Sequence, residues 1–146
     1  MRRRTETGSA IVEVVWLGIL LLIPMVWMVL SVFEVQRGAF GVTAAARAAG
    51  RAYALAPDDV SGQQQATAVA EVAMADQGLD DKPWRLDVSC GELADCHVGG
   101  AVITVRVETH VALPFVPDFF GGQTAFALDA EHDVPIGQYQ EPGESP

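Results

Sequence analysis

Apolar and polar positions along this chain fall into three regimes. Residues 14–33 form an uncharged apolar run of 20 positions. At a rise of about 1.5 Å each they span about 30 Å, the thickness of a bilayer's hydrocarbon core. The run is longer than the h-region of a secretory signal, so it predicts one membrane-spanning helix. Residues 34–56 are rich in alanine, lack proline and take up a helical period. Gln36, Thr43, Arg47 and Arg51 gather on one arc, and Val35, Val42, Ala45, Ala49, Ala52 and Tyr53 lie opposite; Phe40 falls near the polar arc and breaks the pattern. The expected object is one long helix, apolar all round and then amphipathic, bent at Pro24. Gly18, Gly38, Gly41 and Gly50 thin it enough to admit a neighbouring helix, as packing tolerance or as an assembly face.

Pro57-Asp58-Asp59 ends that rod, because the residue before a proline disfavours helix. A second helix is expected over 61–77, with Ser61 and Gln64 as a capping box. Its small apolar residues (Ala66, Val69, Val72, Ala73 and Met74) spread around the helix and leave its buried face undecided. The period then changes to two. Trp84, Leu86, Val88 and Cys90 alternate with Arg85, Asp87 and Ser89. Ile103, Val105, Val107, Val111 and Leu113 alternate with Thr104, Arg106, Glu108 and His110. Phe126, Leu128 and Ala130 alternate with Asp129, Glu131 and Asp133, and His132 falls at the strand end. Three strands with one apolar face predict a small antiparallel sheet covered by the amphipathic half of the long helix. The fold class is therefore α+β: a single N-terminal transmembrane helix extending into a long amphipathic one, a second helix, and about three antiparallel strands. The apolar loop 114–122 either folds beneath the sheet or faces a partner or the membrane; a small domain's need for buried area favours the first. From residue 136 the Pro-, Gly- and Glu-rich composition predicts a disordered tail.

Charge sets the orientation. Arg2, Arg3 and Arg4 precede the span and Glu34 follows it, so the positive-inside bias keeps the N-terminus cytoplasmic and exports the rest. The formal charge is −10, and past residue 57 only Lys82, Arg85 and Arg106 offset the acids. Such a surface repels nucleic acid. Cys90 and Cys96, the only cysteines, lie on the exported side, where a disulfide is the default. A metal site built from Cys90, Cys96 and His97 lacks a fourth ligand at a recognisable spacing. Asp129, Glu131 and Asp133 read as a solvated acidic face rather than a calcium site. His97, His110 and His132 belong to no familiar catalytic motif. The residues therefore point away from an enzyme and call for no cofactor or metal.

One acid stands apart. Glu13 sits at the lip of the apolar run, where a carboxylate is costly unless it reaches water or finds a partner. Gly8-Ser9-Ala10-Ile11-Val12-Glu13, behind a basic stub and ahead of an apolar helix, resembles the processing segment of type IV pilin-like proteins. In that class a membrane peptidase cuts after the glycine and leaves a glutamate at the fifth mature position. More narrowly the chain is similar to the TadE-like pseudopilins of tight-adherence (Flp-type) pilus systems. Those share a GSAxVE-like start, one span, an Ala/Arg-rich continuation such as Ala44-Ala45-Ala46-Arg47-Ala48-Ala49, and a small strand-rich C-terminal part. Val14 departs from the aromatic residue that many such pilins carry after the glutamate.

The resemblance implies a basic leader 1–8, a membrane helix 9–33, an exported domain 34–135 and the tail 136–146. It also implies cleavage between Gly8 and Ser9, and an assembly role for Glu13 paired with the new Ser9 ammonium. Removing three arginines and one glutamate takes the formal charge from −10 to −12. The implied partners are a prepilin peptidase, other pilin or pseudopilin subunits, inner-membrane pilus assembly proteins and membrane lipid. The competing reading is an unprocessed single-pass anchored binding or adhesion module. Ala44-Ala45-Ala46 imitates a signal-peptidase site, which leaves a cleaved secreted protein as an alternative, and a third reading, a secreted enzyme, requires a pocket that joins distant histidines and acids.

Overall fold

A computed structural model describes residues 7–93, 95–112 and 125–137. Helix α1 (Thr7–Ala54) runs for 48 residues without a break, so the apolar run and the amphipathic stretch are one rod about 72 Å long. Pro24 lies inside it. The helix is long and apolar enough to cross a membrane, and from Ile11 to Val26 every residue is exposed. Covered residues begin with half-buried Trp27 and buried Ser31 and continue through Gly38, Val42, Ala45, Ala46, Ala49 and Tyr53. Val42, Ala45, Ala49 and Tyr53 belong to the apolar arc expected from the sequence; Ser31, Gly38 and Ala46 join them, while Val35 and Ala52 of that arc are half-buried. Phe40 points outward and is 68% exposed.

Helix α2 (Asp59–Asp76) starts two residues earlier than expected, and its cap is different. Asp58, in extended backbone, is the N-cap: its Oδ1 accepts the Ser61 N–H at 2.8 Å and its Oδ2 the Ser61 hydroxyl at 3.2 Å. Ser61 thus donates to the cap instead of being it. An aspartate three residues upstream supplies a charged acceptor, and the Ser61 amide bond chiefly holds the Asp58 carboxyl below its ordinary range. The stripe Gly62, Ala66, Ala70 and Met74, spaced by four, is the buried face that composition left undecided. Because its residues are small, α2 lies close against α1, running antiparallel: Gly62 lies under the Tyr53 ring, and Gly41 faces Leu79, Gln77 and Met74.

The far end of α2 closes on Gly78, at φ +63°, where the Gly78 N–H reaches Ala75 O (2.7 Å) and the Leu79 N–H reaches Met74 O (3.0 Å). This is a Schellman turn, and buried Leu79 and Met74 supply its apolar contact. Arg37 of α1 adds a second cap by donating from Nε to Gln77 O and from Nη2 to Gly78 O (2.7 Å). A guanidinium thus sits at the negative end of the α2 dipole.

Strands β1 (Trp84–Ser89), β2 (Val102–Ala112) and β3 (Ala125–Pro135) form an antiparallel sheet in that order. Trp84 pairs with Thr109, and Ala112 with Ala125. Ile103, Val105, Val107, Thr109 and Val111 are buried on the face toward the helices. Thr109 is admitted because its hydroxyl donates to Pro83 O at 3.0 Å. The sheet meets α1 at two glycines. A Cβ on Gly38 would lie 2.5 Å from Leu128 Cδ1 and 2.7 Å from Val111 Cγ2, and one on Gly50 would lie 2.9 Å from Val134 Cγ2. The neighbours that α1's glycines admit are therefore the sheet (Gly38, Gly50) and α2 (Gly41) of the same chain; Gly18 has nothing within 4 Å.

Two expectations change here. His132 is not at a strand end: it pairs with Val105 three residues before β3 stops and packs half-buried beside Gly50. Ile136, expected to open a disordered tail, is buried and bonds Ala101 through its N–H at 2.8 Å. The loop 114–122 and the tail from 138 onward lie outside the described residues.

Candidate functional site

At the N-terminal end, Gly8 and Ser9 lie in the first turns of α1, and Glu13 follows one turn after Ser9. Residues at i and i+4 share a helix face, so positions 9 and 13 lie one above the other. Glu13 is exposed, and among the described residues Ala10 to Val26 are all exposed around it. Its carboxylate is the single charge on the described rod before Glu34.

A second cluster lies at the opposite end of α1. Cys90 and Cys96 form a disulfide, with Cα atoms 5.4 Å apart. The closed loop delivers the next residue, His97, onto the junction between the helices. Its ring stacks on Tyr53 with centroids 5.3 Å apart and an 18° interplanar angle. His97 Nδ1 lies 2.8 Å from Asp59 Oδ1, and Nε2 lies 3.0 Å from the Tyr53 carbonyl oxygen. The Tyr53 hydroxyl donates to the same Asp59 oxygen at 3.1 Å. Asp95 Oδ1 accepts the His97 backbone N–H at 2.8 Å, which sets the loop's exit. One imidazole thereby ties the end of α1, the start of α2 and the disulfide loop together.

The chemistry of this cluster is that of a clamp. Both ring nitrogens of His97 lie within hydrogen-bond distance of an oxygen, one on Asp59 and one on the Tyr53 backbone, so the ring is held from two sides. Burial first, then the hydrogen bond to Asp59 and the charges of Asp59 and Asp95, push the Tyr53 phenol up to about 12. A phenol held that high stays protonated and is no nucleophile near neutrality. Asp59, Asp95 and His97 bring ligand atoms within 4.8 Å of one another, the residues here that a cation would use. Within that group His97 Nδ1 meets Asp59 itself, while Nε2 is turned to the Tyr53 carbonyl oxygen. An open depression of about 510 Å³ beside the cluster is lined by Tyr53, Asp59, Val60, Gln63 and Gln64.

The other candidate residues do not converge. Asp129 accepts from Arg106 Nη2 (3.1 Å) and Asp133 from the Thr104 hydroxyl (2.7 Å), while Arg106 also meets Glu108 at 2.9 Å. These groups knit the exposed face of the sheet. The Asp59–His97 contact joins positions 38 apart and the Arg37 contacts positions 40 and 41 apart. Sequence reasoning missed both, because each joins segments that no local window brings together. No protein-family model, curated protein or solved structure matches the chain.

Proposed function

We propose that the protein is a structural minor pilin or pseudopilin of a tight-adherence (Flp-type) pilus or secretion apparatus. In this reading the chain is held in the membrane by α1 with its N-terminus cytoplasmic, cut after Gly8, and active by assembly. The observation that carries it is the placement of Glu13. An exposed carboxylate stands near the free end of a bare apolar rod, one helical turn from the Ser9 amine that cleavage would liberate, while the folded head covers only the other half of the rod. An isolated carboxylate at that depth is costly, and an ammonium one turn away or on a neighbouring subunit offsets the cost. Loss of Arg2, Arg3 and Arg4 removes the charges that oppose extraction of the rod. The bare half of α1 is then free to exchange lipid for neighbouring subunits.

The test is intact-mass and N-terminal analysis of the chain purified from cells with an active prepilin peptidase. A mature species beginning at Ser9 is expected. A chain that keeps Met1 refutes the proposal and favours the unprocessed anchored module; one that begins at another residue refutes it as well.

A further inference from the structure

Where the head stands relative to the bilayer follows from two close contacts and the rise of each element. Gly38 meets Leu128 and Gly50 meets Val134. Twelve helical residues rise about 18 Å and six strand residues rise about 20 Å, so β3 runs alongside α1 in the same direction and nearly in step. Counting back three residues from Leu128, the Ala112/Ala125 end of the β2–β3 pair lies about 10 Å lower. That is level with about residue 31 of α1, inside the apolar run that ends at Phe33.

A second observation agrees. Ser31 is only 9% exposed and Trp27 is half-buried, so the chain's own atoms cover α1 at positions well within the run. Charge ends at the same height on both elements. On α1 the first charges past Glu13 are Glu34 and Arg37. On the strand pair the polar positions begin at His110 and Asp129, and beyond them Val111, Ala112, Ala125, Phe126 and Ala127 are uncharged. Phe126, on the helix-facing side, is left 47% exposed. Exposed apolar surface continuous with a membrane helix, below a ring of Glu34, Arg37 and His110, has the chemistry of the boundary between headgroups and acyl chains.

We infer that the Ala112/Ala125 end of the β2–β3 pair is a lipid-contact surface embedded in the leaflet on the head's side. The head is thus seated in the membrane rather than raised on a stalk. The inference rests on α1 spanning the bilayer, as in the function proposed above. Seating fixes the rotation of α1 in the membrane, because the face bearing Gly38 and Val42 must stay under the sheet. It also holds the acidic outer face of the sheet clear of the headgroups.

Single-cysteine spin labels on the full chain in phosphatidylcholine vesicles test this, since the native cysteines are already joined. Labels at Phe126→Cys, Ala125→Cys, Asp133→Cys and Leu22→Cys are compared for collision with oxygen, which partitions into lipid, and with a water-soluble nickel chelate. At 125, 126 and 22 oxygen collisions are expected to exceed nickel collisions, with the order reversed at 133. Ala125 is exposed and small, so its label keeps the test valid should the change at Phe126 disturb the fold. A water-like signature at 125 and 126 with a lipid signature at 22 overturns the seating alone. Low collision with both reagents at 125 and 126 overturns it too, because a protein surface then covers that end. A water-like signature at 22 overturns the spanning helix and the seating together.

Discussion

Replacing Gly38 by alanine opposes two effects of known size. In a helix interior alanine is favoured over glycine by about 1 kcal/mol, so an unencumbered site gains stability. At Gly38 the new methyl would lie 2.5 Å from Leu128 Cδ1 and 2.7 Å from Val111 Cγ2, each about 1 Å inside an ordinary carbon–carbon contact. Leu128 is half-buried and can swing aside. Val111 is 1% exposed and β-branched, with a stiff χ1 and no free space behind it. The strand must therefore retreat from α1, and overpacking of this kind costs about 1–3 kcal/mol. The clash offsets the helix gain or exceeds it, for a net loss of about 0–2 kcal/mol. Denaturant unfolding of the full chain in detergent micelles, followed by tryptophan fluorescence, reads the change. A double-mutant cycle with Val111→Ala isolates its cause. The vacated volume accepts the new methyl, so the two changes together should cost at least about 1 kcal/mol less than their sum. A Gly38→Ala protein more stable than its parent, or a cycle with no coupling, refutes the packing argument.

Four other outcomes are expected. Because the Tyr53 phenol sits at about 12 in the folded chain against 10.0 ordinarily, its contribution is fully present below pH 10 and is lost as pH rises toward 12. The unfolding midpoint should fall over that window in the parent and much less in Tyr53→Phe, checked by melts across the pH range. Replacing Cys90 and Cys96 together by serine opens a short loop, with an expected loss of about 2 kcal/mol in the same unfolding assay. Arg37→Ala removes the cross-helix cap of α2, and since the side chain is 45% exposed the loss should be about 1 kcal/mol, with faster amide exchange near Leu79. Glu13→Ala should leave cleavage after Gly8 intact while incorporation into the apparatus drops, measured by mass and by sedimentation of assembled material; unchanged incorporation sinks the pairing idea.

Local pattern determined much of this protein. The charge-free run, the alanine-rich continuation and the switch to alternating strands are periodicities in the chain itself, and α1, the three strands and their inner faces follow them closely. The Cys90–Cys96 bridge was legible too, because the chain has two cysteines and they stand six positions apart. Tertiary structure decided whatever depends on two distant segments meeting. Composition alone could not pick the buried stripe of α2, since alanines surround that helix and only the approach of α1 selects Gly62, Ala66, Ala70 and Met74. Thr109 joined the core because Pro83 offered it an acceptor, and His132 turned inward because Gly50 left room. The His97 clamp and the Arg37 cap are long side chains reaching carboxylate and carbonyl oxygens some 40 positions away, a relation no local window contains. Periodicity says which face of an element is apolar; only packing says what that face touches, because contact depends on the approach of separate backbones rather than on spacing within one.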